Sequence, residues 1–170
     1  MIESKELDKL NKKLEKISER LYKAVDEMPE SVTKELGWGA IKIRNTIIES
    51  MQQEKKTGNI YRKGKKSSKR FHQASAPGEA PAVDTGAGLR SVMFDIRKQK
   101  MEVEIGTVGA TYLAMLEGGT VKIFGEGTIL GDIIEPRPWL GPAVEKHYEE
   151  IIHDVGEEVF KVTKKPFEGK

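Results

Sequence analysis

From Leu7 onward, apolar residues recur at steps of three and four: Leu7, Leu10, Leu14, Ile17, Leu21 and Val25, with lysine and glutamate between them. That spacing predicts one apolar stripe along a helix. It is heptad-like, so a helix pair suits it as well as a globular contact, although the stretch is too short to demand a long coiled coil. Met28-Pro29 interrupts the pattern. Pro29 suits the first turn of a second helix, where its missing N–H costs nothing. Val32, Leu36, Ala40, Ile43, Ile47 and Met51 then continue at helical spacing. Gly37 and Gly39 flank Trp38 and weaken this helix by about 1 kcal/mol each relative to alanine, while leaving room for a close helix crossing. Thr57-Gly58 ends it.

The pattern changes in the second half. Order returns at Asp84-Thr85-Gly86, a cap or turn. Val92 to Arg97 predicts a strand that turns through Lys98-Gln99-Lys100 into Met101 to Thr107, where Met101, Val103 and Ile105 alternate with Glu102 and Glu104. Tyr112 to Leu116 reads as a helical turn ended by Gly118-Gly119. Val121 to Phe124 reads as another strand, with Gly125, Gly127 and Gly131 at a flexible hairpin tip, and Ile133-Ile134 leads into Pro136-Arg137-Pro138. The clearest helix is the last, with Pro142 near its start. Leu140, Val144, Tyr148, Ile151, Val155 and Val159 form one face, with Ala143, Ile152 and Phe160 beside it. The expected fold is α+β: two N-terminal helices and a C-terminal helix packed on a small antiparallel sheet, with a long basic loop. One domain is expected over 1–170, helical over 1–54, an extended basic loop over 55–83, β-rich over 84–138 and helical again over 139–163.

Residues 55–83 have neither period. Lys55, Lys56, Arg62, Lys63, Lys65, Lys66, Lys69 and Arg70 follow one another with no acidic residue between them. Three readings of this segment stay open. Its charges suit phosphates, with Tyr61 and Phe71 as stacking surfaces. It also suits a solvated loop that keeps the protein soluble, or an arm ordered against a neighbouring subunit.

Composition narrows the chemistry. The 170 residues are 37% hydrophobic and 33% charged, enough for one mostly aliphatic core. A net charge of +2 exerts no global pull toward nucleic acid or membrane. With no cysteine, disulfides, thiolate catalysis and cysteine-ligated metals are excluded. Met1 to Leu10 carries five charges and no apolar run, unlike a signal peptide, and no window approaches the roughly 18 apolar residues of a membrane span. A cytoplasmic product with no membrane contact is expected. His147 and His153 lie six apart on the last helix, off the spacing that shares a face, and His72 lies in the basic loop. No metal site is expected. Ser75 and Ser91 sit in no nucleophile elbow, and the glycines form neither a phosphate loop nor a dinucleotide turn. Neither an enzyme nor a cofactor is expected.

Four stretches in order carry a resemblance. They are His72-Gln73-Ala74-Ser75-Ala76-Pro77-Gly78-Glu79-Ala80-Pro81, then Asp84-Thr85-Gly86-Ala87-Gly88-Leu89-Arg90-Ser91, then Tyr112 to Thr120, then Glu135-Pro136-Arg137-Pro138-Trp139-Leu140-Gly141-Pro142-Ala143. Together they resemble the neck or tail-completion proteins of long-tailed bacteriophages, the head–tail joining and minor tail components, over about Thr57 to Ala143. Ser75, Pro77, Gly78, Glu79 and Pro81 match that family's loop phrase. Asp84, Thr85, Gly86, Leu89 and Ser91 match its next phrase with one extra residue, Ala87 or Gly88, between Gly86 and Leu89. Tyr112, Ala114, Glu117, Gly119 and Thr120 match the third, with Gly118 where a large residue is common, and Arg137, Pro138, Trp139 and Ala143 match the fourth.

The resemblance implies an α+β subunit with long helices on a small antiparallel sheet. It implies a structural role in the virion, in a ring of roughly six or twelve copies around the DNA channel, assembled in the host cytoplasm. Partners would be other copies, a head connector or stopper, and tail-terminator or tail-tube proteins, with non-specific DNA contact through the basic loop. A tail terminator of the same particle and a nucleic-acid-binding module using residues 55–73 are the alternatives. Glu117 and Arg137 are expected to pair, within a subunit or across the ring, because the prolines flanking Arg137 restrict its backbone.

Overall fold

In a computed structural model, which describes residues 4–53, 55–64, 69–121 and 133–168, the chain is α+β. A long helix, α1 (Ser4–Gln53), leads to a short antiparallel pair, β1 (Ile60–Arg62) and β2 (Phe71–Gln73). A five-residue helix, α2 (Ala87–Ser91), runs directly into β3 (Val92–Arg97), which pairs with β4 (Glu102–Thr107) across a 3-10 turn at Lys98–Lys100. Then come α3 (Thr111–Gly118), a second short antiparallel pair, β5 (Thr120–Val121) with β6 (Ile133–Ile134), and α4 (Gly141–Lys164). Among the described residues the strands thus form three separate two-stranded pairs rather than one sheet. The hairpin at Lys98–Lys100 falls where the alternation places it. The hairpin tip at Gly125, Gly127 and Gly131 lies outside the described residues.

The expected break at Pro29 does not occur: α1 runs unbroken through it. An interior proline removes one backbone hydrogen bond and clashes with the preceding turn, a cost of about 3 kcal/mol. The apolar phase explains why the helix survives that cost. Ala24, Val32, Ala40, Ile43, Ile47 and Met51 are all buried along it, on both sides of the proline, and each fully buried aliphatic side chain contributes about 1.5–3 kcal/mol. Just beyond the proline, the Thr33 hydroxyl donates to the Pro29 carbonyl at 2.5 Å, one turn back.

The chain divides into two compact units: residues 1–39, 96–103 and 149–170 form one, and residues 40–95 and 104–148 the other. In the first, the end of α4 lies antiparallel to α1. A Cβ added at Gly39 would sit 2.7 Å from Ile151 Cγ1, and at the far end Arg20 Nη1 donates to the Pro166 carbonyl at 3.4 Å. The room expected at Gly39 is therefore used by a helix. Val162, one step of three beyond Val159 and so in line with the predicted face, is fully buried here, whereas Tyr148, predicted to face the core and lying in the second unit, is exposed. Ile151, Val155 and Val159 are half-buried. The predicted stripe thus marks the line along which this helix packs in the first unit.

The second unit has the tighter core. Ile47, Val92 and Leu113 are fully buried, and Ala40, Ile43, Met51, Ala80, Ala110, Trp139 and Ala143 close around them. Arg44 Nε donates to the Val92 carbonyl at 2.9 Å, tying α1 to the start of β3.

Candidate functional site

The four family-like stretches meet in the second unit, joined by hydrogen bonds between distant parts of the chain. Glu117, at the end of α3, is the centre. One carboxylate oxygen accepts the backbone N–H of Trp139 at 2.6 Å and of Leu140 at 2.9 Å, and the other accepts that of Gly141 at 2.8 Å. These are donors that the start of α4 leaves without partners inside the helix. A carboxylate at a helix N-terminus is favoured by charge as well as by hydrogen bonding.

Within the subunit, then, Glu117 and Arg137 do not pair as expected. Arg137 Nε donates to the Ser75 carbonyl at 3.1 Å, and its Nη1 to the Glu135 carbonyl at 3.3 Å. Its backbone N–H donates to the Leu116 carbonyl at 2.6 Å. The physical reason is competition: three converging backbone donors already occupy both Glu117 oxygens, and the guanidinium satisfies carbonyls instead.

Further bonds close the assembly. The Trp139 indole N–H donates to the Leu113 carbonyl at 2.9 Å in a buried site, so this large apolar anchor also has its polar atom satisfied. Gly78 N–H donates to the Pro136 carbonyl at 2.9 Å, from a turn in which Gly78 has a φ of 81°. Gly88 lies against Tyr112, where an added Cβ would come within 2.6 Å of the phenolic oxygen. The extra residue in the second stretch is absorbed by α2, whose N-cap Gly86 adopts the left-handed conformation with a φ of 76°. His72, Ser75, Asp84, Gly88, Tyr112 and Arg137, drawn from all four stretches, share the lining of one cavity of about 460 Å³.

The basic loop is partly ordered by strands that its sequence does not announce. Ile60 pairs with Gln73, Tyr61 with His72 and Arg62 with Phe71. Its base is clasped by Glu79, which accepts the Thr57 hydroxyl at 2.5 Å, the Thr57 N–H at 3.0 Å and the Ala76 N–H at 2.8 Å. The Thr57 hydroxyl, then the two backbone N–H groups, hold the Glu79 carboxyl below its ordinary 4.5. Lys63 pairs with Asp84, Lys56 Nζ donates to the Ser50 carbonyl at 2.8 Å, and the Arg62 guanidinium sits 5.1 Å from the centre of the Phe71 ring. Lys55, Arg62, Lys69 and Arg70 are exposed. Lys65 and Lys66 lie outside the described residues.

Sequence reasoning missed the roles of Thr57 as a clasp and of the Leu113 carbonyl. It also missed the contact between Thr46 Oγ1 and His147 Nε2 at 2.8 Å, which places His147 at a packed, half-buried position. One signal for Glu117 was available: α4 begins with no Ser, Thr, Asp or Asn at its start, so its donors needed an acceptor from elsewhere. Chemically, the Glu117 and Arg137 groups are engaged in holding backbone. Among the described residues, no group of three or more His, Cys, Asp or Glu is placed to hold a metal ion, and no helix is long and apolar enough to cross a membrane. No family model, curated protein or solved structure matches the chain.

Proposed function

We propose that this chain is a structural subunit of the neck of a long-tailed bacteriophage, forming a ring between head connector and tail through which DNA passes. The four stretches that carry the resemblance support this reading, since their side chains are used to lock distant backbone together, as suits a part whose work is mechanical.

The observation that carries assembly lies in the first unit. Leu14, Ile17, Leu21 and Val25, the heptad-like stripe on α1, are 56%, 36%, 39% and 61% exposed. Neighbouring Tyr22 is exposed as well. Scattered surface leucines need no explanation, but a contiguous apolar stripe marks an interaction surface. Repetition of one subunit around an axis offers each stripe a neighbour's surface and closes the assembly.

The test is genetic and structural together. Deleting the gene from the phage genome that encodes it should leave heads and tails unjoined, or tails of abnormal form, in electron micrographs. Complementation with the full chain should restore plaques, and Leu14→Glu with Leu21→Glu should not. Normal infectious particles from the deletion would end the proposal.

A further inference from the structure

We infer that the β1–β2 hairpin is a docking ribbon for duplex DNA, held through its phosphate backbone. The inference does not rest on the ring reading, because it concerns the subunit alone.

Three observations carry it. The first is charge. Arg62, Lys69 and Arg70 are exposed on the hairpin, and no acidic residue occurs between Lys55 and Gln73. Lys63 pairs with Asp84 beside it. The second is register. Cross-strand partners share a face and neighbours alternate. Arg62 and Phe71 therefore occupy one face of the ribbon, and Tyr61 and His72 the other. The Lys63 N–H donates to the Arg70 carbonyl at 2.8 Å, which continues the pairing and puts Arg70 on the second face. Each face thus presents an arginine and an exposed aromatic residue.

That arrangement selects the form of the nucleic acid. A platform for single strands needs aromatic rings side by side on one surface. Here Tyr61 and Phe71 point to opposite faces, and Arg62 already lies near the Phe71 ring. A two-stranded ribbon with cations on both faces instead suits the major groove, which admits such a ribbon and has phosphates along both walls.

The third observation is preorganisation. The Glu79 clasp on Thr57 and Ala76 fixes the stem, and the Ala74 N–H donates to the Asn59 carbonyl at 2.9 Å. Gly58 lies so close to Ser75 that an added Cβ would sit 2.5 Å from its carbonyl oxygen. Less freedom is lost when such a ribbon binds.

The test uses the full chain and a short, fluorescently labelled duplex of mixed sequence, followed by anisotropy. Three phosphate contacts give a log–log salt slope of about −2.7, so affinity should fall about forty-fold between about 50 and 200 mM salt. Arg62→Gln, Lys69→Gln and Arg70→Gln combined should weaken binding at least tenfold at low salt and flatten the slope, with an unchanged melt by circular dichroism. Lys12→Gln, Lys13→Gln and Lys16→Gln combined remove the same charge from exposed positions on α1 and should leave binding within about twofold. Equal loss in both variants would overturn the inference, as would absence of binding at low salt. Tighter binding of the single strand than of the duplex would overturn it in favour of stacking. Competition by polyglutamate as strong as that by DNA would overturn it in favour of an acidic protein partner.

Discussion

The two units of this chain close themselves in different ways. In the second, Glu117, Arg137, Trp139 and Glu79 each use side-chain atoms to satisfy backbone from a distant stretch, and the apolar residues around them are buried. In the first, helix lies on helix, and the polar contacts include exposed ion pairs such as Lys98 with Glu30 at 2.9 Å and Lys165 with Glu27 at 3.8 Å. Exposed pairs contribute about 0–1 kcal/mol each. Its apolar stripe is covered at Val32, and at Ala24 on its flank, but open from Leu14 to Val25. The second unit also exposes apolar residues, such as Tyr61, Phe71, Met93 and Val108, but the first exposes them as one stripe along a helix. The comparison teaches that a part held by side chains on distant backbone and a part held by helix on helix leave different marks, one in hydrogen bonds and the other in exposure.

The largest expected effect breaks the second unit. Glu117→Ala strands three backbone donors at the start of α4. Hydrogen bonds to a charged group are worth about 1.5–3 kcal/mol each, and water recovers part of that at a half-buried site. The expected loss is about 3 kcal/mol in urea unfolding, with Glu117→Gln intermediate because one acceptor oxygen remains. A loss below about 1 kcal/mol would mean that solvent caps the helix as well as Glu117 does.

Next comes the helix contact of the first unit. Gly39→Ala should gain about 1 kcal/mol of helix propensity and lose more to overpacking, because Ile151 Cγ1 and Cγ2 lie 2.7 and 3.1 Å from the new methyl group and a β-branched side chain yields little. A net loss of about 1 kcal/mol is expected. Ile151→Ala should cost about 1–2 kcal/mol, at or below the low end for buried aliphatics, because Ile151 is only half-buried. The double variant should be more stable than the sum of the two predicts, by at least about 0.5 kcal/mol. Simple additivity in denaturant melts would show that the helices do not meet at Gly39.

What was legible in the sequence follows the same division. Periodicity is a local signal, and it found α4, the β3–β4 hairpin and the stripe of α1. The α+β class followed from these. It failed at Pro29, where a local breaker was outweighed by burial spread over the whole helix, and at Tyr148, which lies on the predicted face and is exposed. The resemblance pointed to Glu117 and Arg137 but not to their partners. Those partners are backbone atoms, such as the Ser75 carbonyl and the Trp139 N–H, which every residue carries, so no residue type marks them. The strands of the basic loop were hidden because three-residue segments are too short to display alternation.

A smaller effect separates two carboxylates held by different means. Glu79 is held below its ordinary 4.5 by the Thr57 hydroxyl and by backbone N–H groups, whereas Glu30 is held there by the hydrogen bond and charge of Lys98. In both cases the folded value lies below the unfolded one. Each therefore contributes stability that is present above about pH 4.5 and is lost as the pH falls through the lowered folded value. Salt should distinguish them. At about 1 M the screening length is about 3 Å, which weakens an exposed charge pair but not a hydroxyl or amide donor. Carboxyl titrations followed by NMR should show Glu30 moving back toward 4.5 in salt while Glu79 stays low. Equal movement of the two would show that the clasp on Glu79 is mainly Coulombic, with Lys56 rather than Thr57 as its source.

The smallest effect expected on the isolated subunit is the most informative about the first unit. Leu14→Glu with Leu21→Glu replaces two exposed apolar side chains on α1 by charged ones of similar helix propensity. If the stripe serves no purpose within the subunit, unfolding should shift by less than about 0.5 kcal/mol, as for ordinary surface changes. Covering it in an assembly would bury both leucines on a neighbour, and each glutamate would then be left without water or a partner, at a cost of several kcal/mol per interface. The same variant should therefore be neutral in a dilute melt and severe in any assay of particle joining. Glu117→Ala should behave in the opposite order, losing stability before assembly is asked for. A large loss of subunit stability from the leucine changes would show that the stripe is already part of a core, and the contrast between the two units would fail.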